Sequence, residues 1–481
     1  MKMNWALVPS ILRDEINQAI KEMKLRKAEG IDCIPAEFLK TLGEKAKEEL
    51  VELCQQIYET GKWPEDFLRT VMIPLKKKPN ATECSDHRTI SLVVHASKIL
   101  LKILTKRIES KVAAINYIGE DQYGFRKGRG TREAISMIRC LGERSLEHGK
   151  DLYICFVDYE KAFDRVNWLK LMEVLQQVGV DKRDRDLIKN LYMEQSVVIR
   201  IDGKDAEAAK VGRGVRQGCP MSPQEFNIYI EALMKKAVEH QQDGVKVGGR
   251  IVQDVRFADD QAMVANSNAG LQRIMNNLNE TSKEYGMKIN LKKTKVMRIS
   301  RNEGRKITIN IAEEQLEQMK QFNYLGSTIT EDCKSQGEIR RRIILGKEAY
   351  NKNKELMRGK LELSLKKRLI KTLIWSVVLY GSETWTMQKE DIKRLEAFEM
   401  WLWRRIMKVK WTEHKTNEEV LEVVKEKRLL IKTIRERQKN WVGHILRNDS
   451  LLRTVWVGRM EGNKVAGRPR TKLLDWMGNA P

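Results

Sequence analysis

Leu152-Tyr153-Ile154-Cys155-Phe156-Val157-Asp158 is an unbroken apolar run that ends in a carboxylate. Such a run reads as a buried strand, because a strand covered on both faces loses the apolar–polar alternation of a half-exposed one. Asp158 then either stands at the end of a sheet, where a fold presents functional groups, or caps a helix beginning near Lys161. Downstream, Ile251–Phe257 and Gln261–Ala265 read as a β-hairpin with a short connection. At its tip stands Phe257-Ala258-Asp259-Asp260, where two adjacent carboxylates repel each other unless a cation offsets them.

One aspartate on a strand end and two on a neighbouring hairpin supply ligands for two divalent ions about 3.5–4 Å apart. Magnesium, a hard ion that prefers carboxylate and phosphate oxygens, suits such a site. Between these elements lies Gly212-Arg213-Gly214-Val215-Arg216-Gln217-Gly218-Cys219-Pro220-Met221-Ser222-Pro223. Its glycines allow close backbone approach, and a helix opening near Ser222-Pro223 adds free N–H groups. With Arg and Gln beside it, the loop suits phosphate and sugar; the plainer reading is a hairpin loop before a helix.

Residues 10–60 read as helices, with Ile11, Ile16, Ile20 and Met23 at helical spacing and a second helix around Pro35–Leu42 after Gly30-Ile31-Asp32. Thr70-Val71-Met72-Ile73, between Trp63-Pro64 and Pro74, predicts a short strand leading into Lys76-Lys77-Lys78. From about 150 to 330 strands alternate with helices at about 168–178 and 223–240. Beyond 335 the periodicity is helical, closing on Gly467-Arg468-Pro469-Arg470. The fold class is therefore α/β (α+β), ending in a mostly helical region.

Ninety Lys+Arg against 66 Asp+Glu give the 481 residues a net charge of +24, which points to a polyanionic partner, most commonly nucleic acid. Residues 331–481 carry 35 basic and 20 acidic side chains, hence +15 of that charge, and eight of the eleven Trp. Basic residues mixed with aromatics suit a surface that tracks phosphates and stacks on bases, although Trp also builds helical cores, the role expected for most of these eight. The seven cysteines are scattered, without zinc spacing, and indicate a reducing compartment. No apolar run approaches a membrane span and no signal peptide is evident, so the expected place is intracellular, nucleus or cytoplasm, with no membrane partner.

At this point the motifs carry a family resemblance. Phe156-Val157-Asp158-Tyr159-Glu160-Lys161-Ala162-Phe163-Asp164 resembles motif A of reverse transcriptases, Arg216-Gln217-Gly218-Cys219-Pro220-Met221-Ser222-Pro223 motif B, and Phe257-Ala258-Asp259-Asp260 motif C. Further similarities are Gly30–Pro35, His87–Leu92, Gln122-Tyr123-Gly124-Phe125-Arg126-Lys127-Gly128, the motif-D-like Gly286–Lys295, and Tyr324-Leu325-Gly326, which resembles the primer-grip region of non-LTR enzymes. The resemblance runs from about residue 25 to 330, and the Trp-rich basic tail is similar to that of animal non-LTR retrotransposon proteins.

That resemblance implies a right-hand polymerase: an N-terminal extension and start of fingers at 1–65, fingers and palm at 66–330, and a basic helical thumb and nucleic-acid-binding region at 331–481. It implies RNA-directed DNA synthesis, with an RNA template, a DNA primer, dNTPs and the element RNA as partners in a nucleoprotein particle. Asp158, Asp259 and Asp260 are the implied catalytic and metal-binding carboxylates for two Mg2+ ions, with Mn2+ as a substitute. Phe163 is implied to exclude a ribose 2′-hydroxyl, Gln217 and Gly218 to lie against the incoming sugar, Arg88 and Lys77 to clamp the triphosphate, and Lys293 to give a proton to pyrophosphate. The endonuclease that commonly precedes this region and the cysteine-rich knuckle that often follows it are not evident, so the expectation is a shortened element copy with an intact polymerase site. Competing expectations are a domesticated or decayed copy that binds RNA without catalysis, and a group II intron-type maturase.

Overall fold

The computed structural model describes residues 10–239, 241–302, 304–465 and 472–478. Its principal strands are β1 (Arg69–Lys76), β2 (His87–Leu92), β3 (Leu152–Val157), β4 (Ser196–Ile201), β5 (Asp254–Phe257), β6 (Asp260–Ala265) and β7 (Lys295–Ile299). The helices that matter here are α1 (Ser97–Ala114), α2 (Thr131–Glu147), α3 (Ser222–Val238), α4 (Gln336–Lys352), α5 (Lys389–Ile406) and α6 (Leu430–Arg447). The chain folds as two units: Met1–Gly119 with Tyr159–Glu239 and Asn277–Ile289, and Glu120–Asp158 with His240–Asn276 and Asn290–Pro481.

In the first unit β1 lies between β2, antiparallel to it, and β4, parallel to it. The strand expected at Thr70–Ile73 runs on through Pro74 to Lys76. Pairing with β4 ends at Met72, so Pro74 lies past the doubly paired stretch, where its missing N–H removes no bond on that side. The N-terminal helices form at Arg13–Lys21, Ala36–Lys40 and Glu44–Thr60, with Pro35 at the second N-cap. Arg107 of α1 holds the first of them through Glu15 at 2.9 Å. Helix α1 buries Ile99, Leu100, Leu101, Ile103, Leu104 and Ile108, too many for one stripe, as befits a helix inside a core.

In the second unit the sheet order is Glu317–Gln318, β7, β3, β6, β5. The apolar run is its middle strand, antiparallel to β6 and β7, and burial on both faces explains the lack of alternation. The expected hairpin strand Ile251–Phe257 is not continuous. Arg250–Val252 turns back on Val245–Val247 through Gly248-Gly249, both at positive φ (57° and 79°), which is the two-residue turn that twists with its strands. Only Asp254–Phe257 joins the sheet beside β6.

The helical region after 335 shares one apolar core with this sheet and α2. Trp375, Trp385, Trp403, Trp441 and Trp476 are buried in it, as expected for most of the Trp. Each removes about 150–250 Å2 from water, worth up to about 4–6 kcal/mol at about 25 cal/mol per Å2 before entropy is subtracted. Trp456 Nε1 donates to Ser136 Oγ (3.2 Å), and Arg144 donates to the carbonyls of Val455 (2.9 Å) and Trp456 (2.6 Å), so polar as well as apolar contacts dock the tail on α2. Gly467-Arg468-Pro469-Arg470 lies outside the described residues. Among the described residues no helix is long and apolar enough to cross a membrane.

Candidate active site

Val157 on β3 pairs with Gln261 on β6. One step beyond that pair, Asp158 and Asp260 come to facing strand ends, although they stand far apart in sequence. Asp260 also pairs with Phe257, which leaves Ala258-Asp259 as the two-residue turn of the hairpin. Asp158 does not cap a helix: Lys161 holds the N-cap position of Ala162–Arg165.

Loss of water around the carboxyl, followed by the charges of Asp259 and Asp158, raises Asp260 to about 6 from 3.8, and Lys293 opposes the rise. Asp260 keeps exposed surface, so we assign more weight to the like charges than to dryness. The Lys293 ammonium stands 3.7 Å from Asp158 Oδ1, a positive charge drawn into the cluster. Asp158, Asp260, Lys292, Lys293, Tyr324 and Leu325 line a cavity of about 410 Å3. The Tyr324-Leu325-Gly326 element thus borders the carboxylates, with Tyr324 donating to the Val255 carbonyl at 3.1 Å and Phe322 stacked on Phe156 at 4.3 Å.

Two residues to which the motifs attach no role hold this geometry. Gln122 Oε1 accepts from Gly124 N (2.8 Å) and from Ala258 N (3.0 Å), tying the aspartate turn to the loop before α2. A Cβ on Gly124 would sit 2.4 Å from Ala258 N, so only glycine allows that approach. Beside them, burial alone would push the Asp121 carboxyl up, but the Arg256 guanidinium outweighs it and holds the carboxyl below its usual range. Thr294 is the other: Asp158 N donates to Thr294 Oγ1 (3.3 Å) while Asn290 N donates to Asp158 O (2.8 Å). The signal for both was their place inside family-like motifs.

Phe163, Gln217, Gly218, Arg88 and Lys77 all belong to the first unit. Phe163 stacks on Phe226 of α3, with centroids 4.3 Å apart, and its carbonyl accepts from Val215 N at 2.8 Å. Gln217 Nε2 lies 3.5 Å from Asp164 Oδ1, and its carbonyl accepts from Ser91 N at 2.7 Å. A Cβ on Gly218 (φ 116°) would meet Ser91 O at 2.7 Å, so this glycine is required by the β2 backbone. Burial raises the Asp164 carboxyl, against the charge of Lys161, the Gln217 hydrogen bond and the charge of Lys77. Arg88 is exposed on β2. Arg216, read beside the glycines as suited to phosphate, is instead buried: Nε donates to Gln195 Oε1 (2.8 Å) and its other nitrogens reach the Phe67 and Leu68 carbonyls.

The residues of the second unit fit divalent metal. Its carboxylates are hard oxygen donors whose crowding already lifts one of them, and a lysine ammonium stands among them. Among the described residues no three acidic, His or Cys side chains close around a single point.

A buried strand ending in Asp158 against an Asp-Asp hairpin, on a sheet whose strands β7, β3, β6 and β5 pair antiparallel and which is backed by helices, is the palm of a right-hand polymerase. Residues 75–329, more than half of the chain, match the family described as reverse transcriptase (RNA-dependent DNA polymerase). The chain belongs to that family, whose members use divalent metal ions. It is 28% identical over 273 residues to the transposon TX1 149 kDa protein of Xenopus laevis, covering 55% of this chain and 20% of that protein. It is 28% identical over 271 residues to the Pol polyprotein of type-2 retrotransposable element R2DM of Drosophila melanogaster (54% and 25% covered). It is 20% identical over 418 residues to the RNA-directed DNA polymerase from mobile element jockey of the same fly (84% and 44% covered). These are relatives of the non-LTR type that the motifs resemble, and the chain spans a fifth to less than half of their length.

Proposed function

We propose that the chain is an RNA-directed DNA polymerase of a non-LTR retrotransposon, extending a DNA primer on an RNA template with dNTPs. The observation that carries the reading is that Asp158 and Asp260 stand at facing strand ends in a cavity with Lys293, with Asp259 in the adjoining turn. A decayed copy has no reason to keep a carboxylate cluster that repels itself, because such a cluster destabilises the apo fold. Asp158, Asp259 and Asp260 would hold two Mg2+ ions, which when bound supply charge neutralisation and a more acidic primer hydroxyl. Lys293 adds a positive charge beside Asp158 and would give a proton to the leaving pyrophosphate. Arg88 and Lys77 bind the triphosphate, Phe163 excludes a 2′-hydroxyl, and Gln217 with Gly218 receives the sugar. The fingers and palm occupy 66–330 after the 1–65 extension, and the basic region from 331 binds the nucleic acid. The working partner is the element RNA as a nucleoprotein particle, in nucleus or cytoplasm.

Primer extension by the purified chain on an RNA template is the test. We expect dNTP- and Mg2+-dependent products that chelator abolishes and Mn2+ partly restores. Template-bound protein that makes no product with either ion would sink the catalytic reading.

A further inference from the structure

We infer that a basic cavity at the C-terminal end of α5 is a second nucleic-acid contact, receiving consecutive backbone phosphates on residues none of which lines the carboxylate cavity. The cavity holds about 890 Å3, more than one phosphate fills. Helix α5 ends at Ile406, and left-handed residues Lys408 (φ 57°) and His414 (φ 46°) turn the following loop. Arg358, Arg404, Arg405, Lys408, Lys410 and Lys415 line it, with Trp401 and Val409 as an apolar wall and no carboxylate in the lining.

The plain explanation is a helix C-terminus, whose partial negative charge of about one half attracts cations to the last turn. One or two cations satisfy that charge; six do not follow from it. The fold uses some of them. Arg404 donates to Lys415 O (2.9 Å) and Asn417 Oδ1 (3.0 Å), and Lys415 pairs with Glu413 at 2.9 Å. Arg405 lies over the Trp401 ring at 5.2 Å, which holds the guanidinium without neutralising it. Among the described residues no ion pair engages Arg405, Lys408 or Lys410, and all three are exposed. Glu413, which accepts from Lys410 N at 2.8 Å and pairs with Lys415, offsets part of this charge; the excess in a concavity focuses potential on whatever enters, and keeping it there costs stability unless a polyanion is bound. A nucleic-acid strand presents a run of single negative charges, which several such side chains can meet at once. The choice of nucleic acid over another polyanion rests on the proposed polymerase function.

The test is anisotropy of a short labelled single-stranded RNA, and of duplex DNA, bound to the full chain across a salt series. The triple variant Arg405→Gln, Lys408→Gln, Lys410→Gln should weaken RNA binding about tenfold or more and make the log–log salt slope shallower by about 2, at about 0.7 for each phosphate that is no longer neutralised. A control triple of equal charge loss, Lys24→Gln, Lys45→Gln, Lys62→Gln, exposed in the 1–65 extension, should change binding less than about threefold. Loss with RNA alone assigns the cavity to single strands, and equal loss with the duplex assigns it to either backbone; both support it. Equal effects of the two triples, or competition by polyglutamate as strong as by RNA of equal charge, would overturn it. Primer extension run in parallel separates the two readings: an inert wild-type chain with cavity-dependent RNA binding fails only the catalytic one.

Discussion

Gln261 pairs with Val157 across the central sheet, and that single register decides which carboxylates meet. A slip of one residue would turn the whole of β6 over, exchanging Ala262 and Val264 with Gln261 and Met263 between its two buried faces and carrying Asp260 off the Asp158 strand end. Both faces of β3 are buried, so the apolar packing that stabilises the strand also fixes the spacing of the charged groups at its end.

Asp259→Ala should remove nearly all primer extension, a loss of at least about a hundredfold, while RNA affinity stays within about threefold, because affinity comes mostly from Lys and Arg on phosphates. Extension and template binding measured on the same preparation check this. Retention of more than a few per cent of extension would take Asp259 out of the metal-binding set.

Gln122 acts through the turn and is a positioning residue. Gln122→Ala leaves Ala258 N without its acceptor at 3.0 Å and frees the turn that carries Asp259. A buried unpaired N–H costs about 1–3 kcal/mol. We expect kcat to fall about ten- to a hundredfold with KM for dNTP and RNA affinity nearly unchanged. Steady-state kinetics decide it: a drop confined to KM would make Gln122 part of substrate binding.

Much of this was legible in the sequence, and the reasons differ by element. Leu152–Val157 could be read because a strand buried on both faces has a composition that few other elements share. Asp259-Asp260 could be read because charge crowding at a turn demands an explanation. The hairpin at Val245–Val247 and Arg250–Val252 was hidden, since Ile251-Val252 merges with the apolar residues of β5 and the Gly248-Gly249 signal precedes the apparent strand. Arg216 was misleading for another reason: its partners, Gln195 and the carbonyls of Phe67 and Leu68, lie far away in sequence, and only the fold shows that they claim it before any phosphate. Gln122 could not be found by period or propensity, because a lone Gln in a loop carries neither.

Phe163→Val should raise rNTP incorporation relative to dNTP by about tenfold or more, since discrimination against one hydroxyl by shape is worth about 1–3 kcal/mol. The stack on Phe226 is lost as well, worth about 0.5–1.5 kcal/mol beyond burial, so the thermal midpoint should fall by a few degrees. Competition between each rNTP and its dNTP in single-nucleotide extension is the measurement. An unchanged ratio with the lowered midpoint would make Phe163 a packing residue only.

The carboxylate cluster also predicts how metal and pH act together. Asp260 titrates at about 6 in the fold against 3.8 for the free group. The folded state therefore binds the proton more tightly than the unfolded chain. The stability this contributes is complete below about 3.8 and is lost as pH rises through about 6. At higher pH the three charges are held together at a cost, unless a cation neutralises them. Magnesium must displace the proton to use the Asp260 carboxylate, so its affinity should rise by about tenfold per pH unit below about 6 and level off above it. Thermal unfolding with and without millimolar Mg2+ should show a clear upward shift near pH 8 and almost none near pH 5. Asp260→Asn, which keeps the shape and removes one charge, should raise the metal-free midpoint above pH 6 and flatten the pH dependence of the Mg2+ shift. Equal Mg2+ stabilisation at both pH values, or an Asp260→Asn chain less stable than wild type near pH 8 without metal, would mean that the cluster does not carry the repulsion assigned to it.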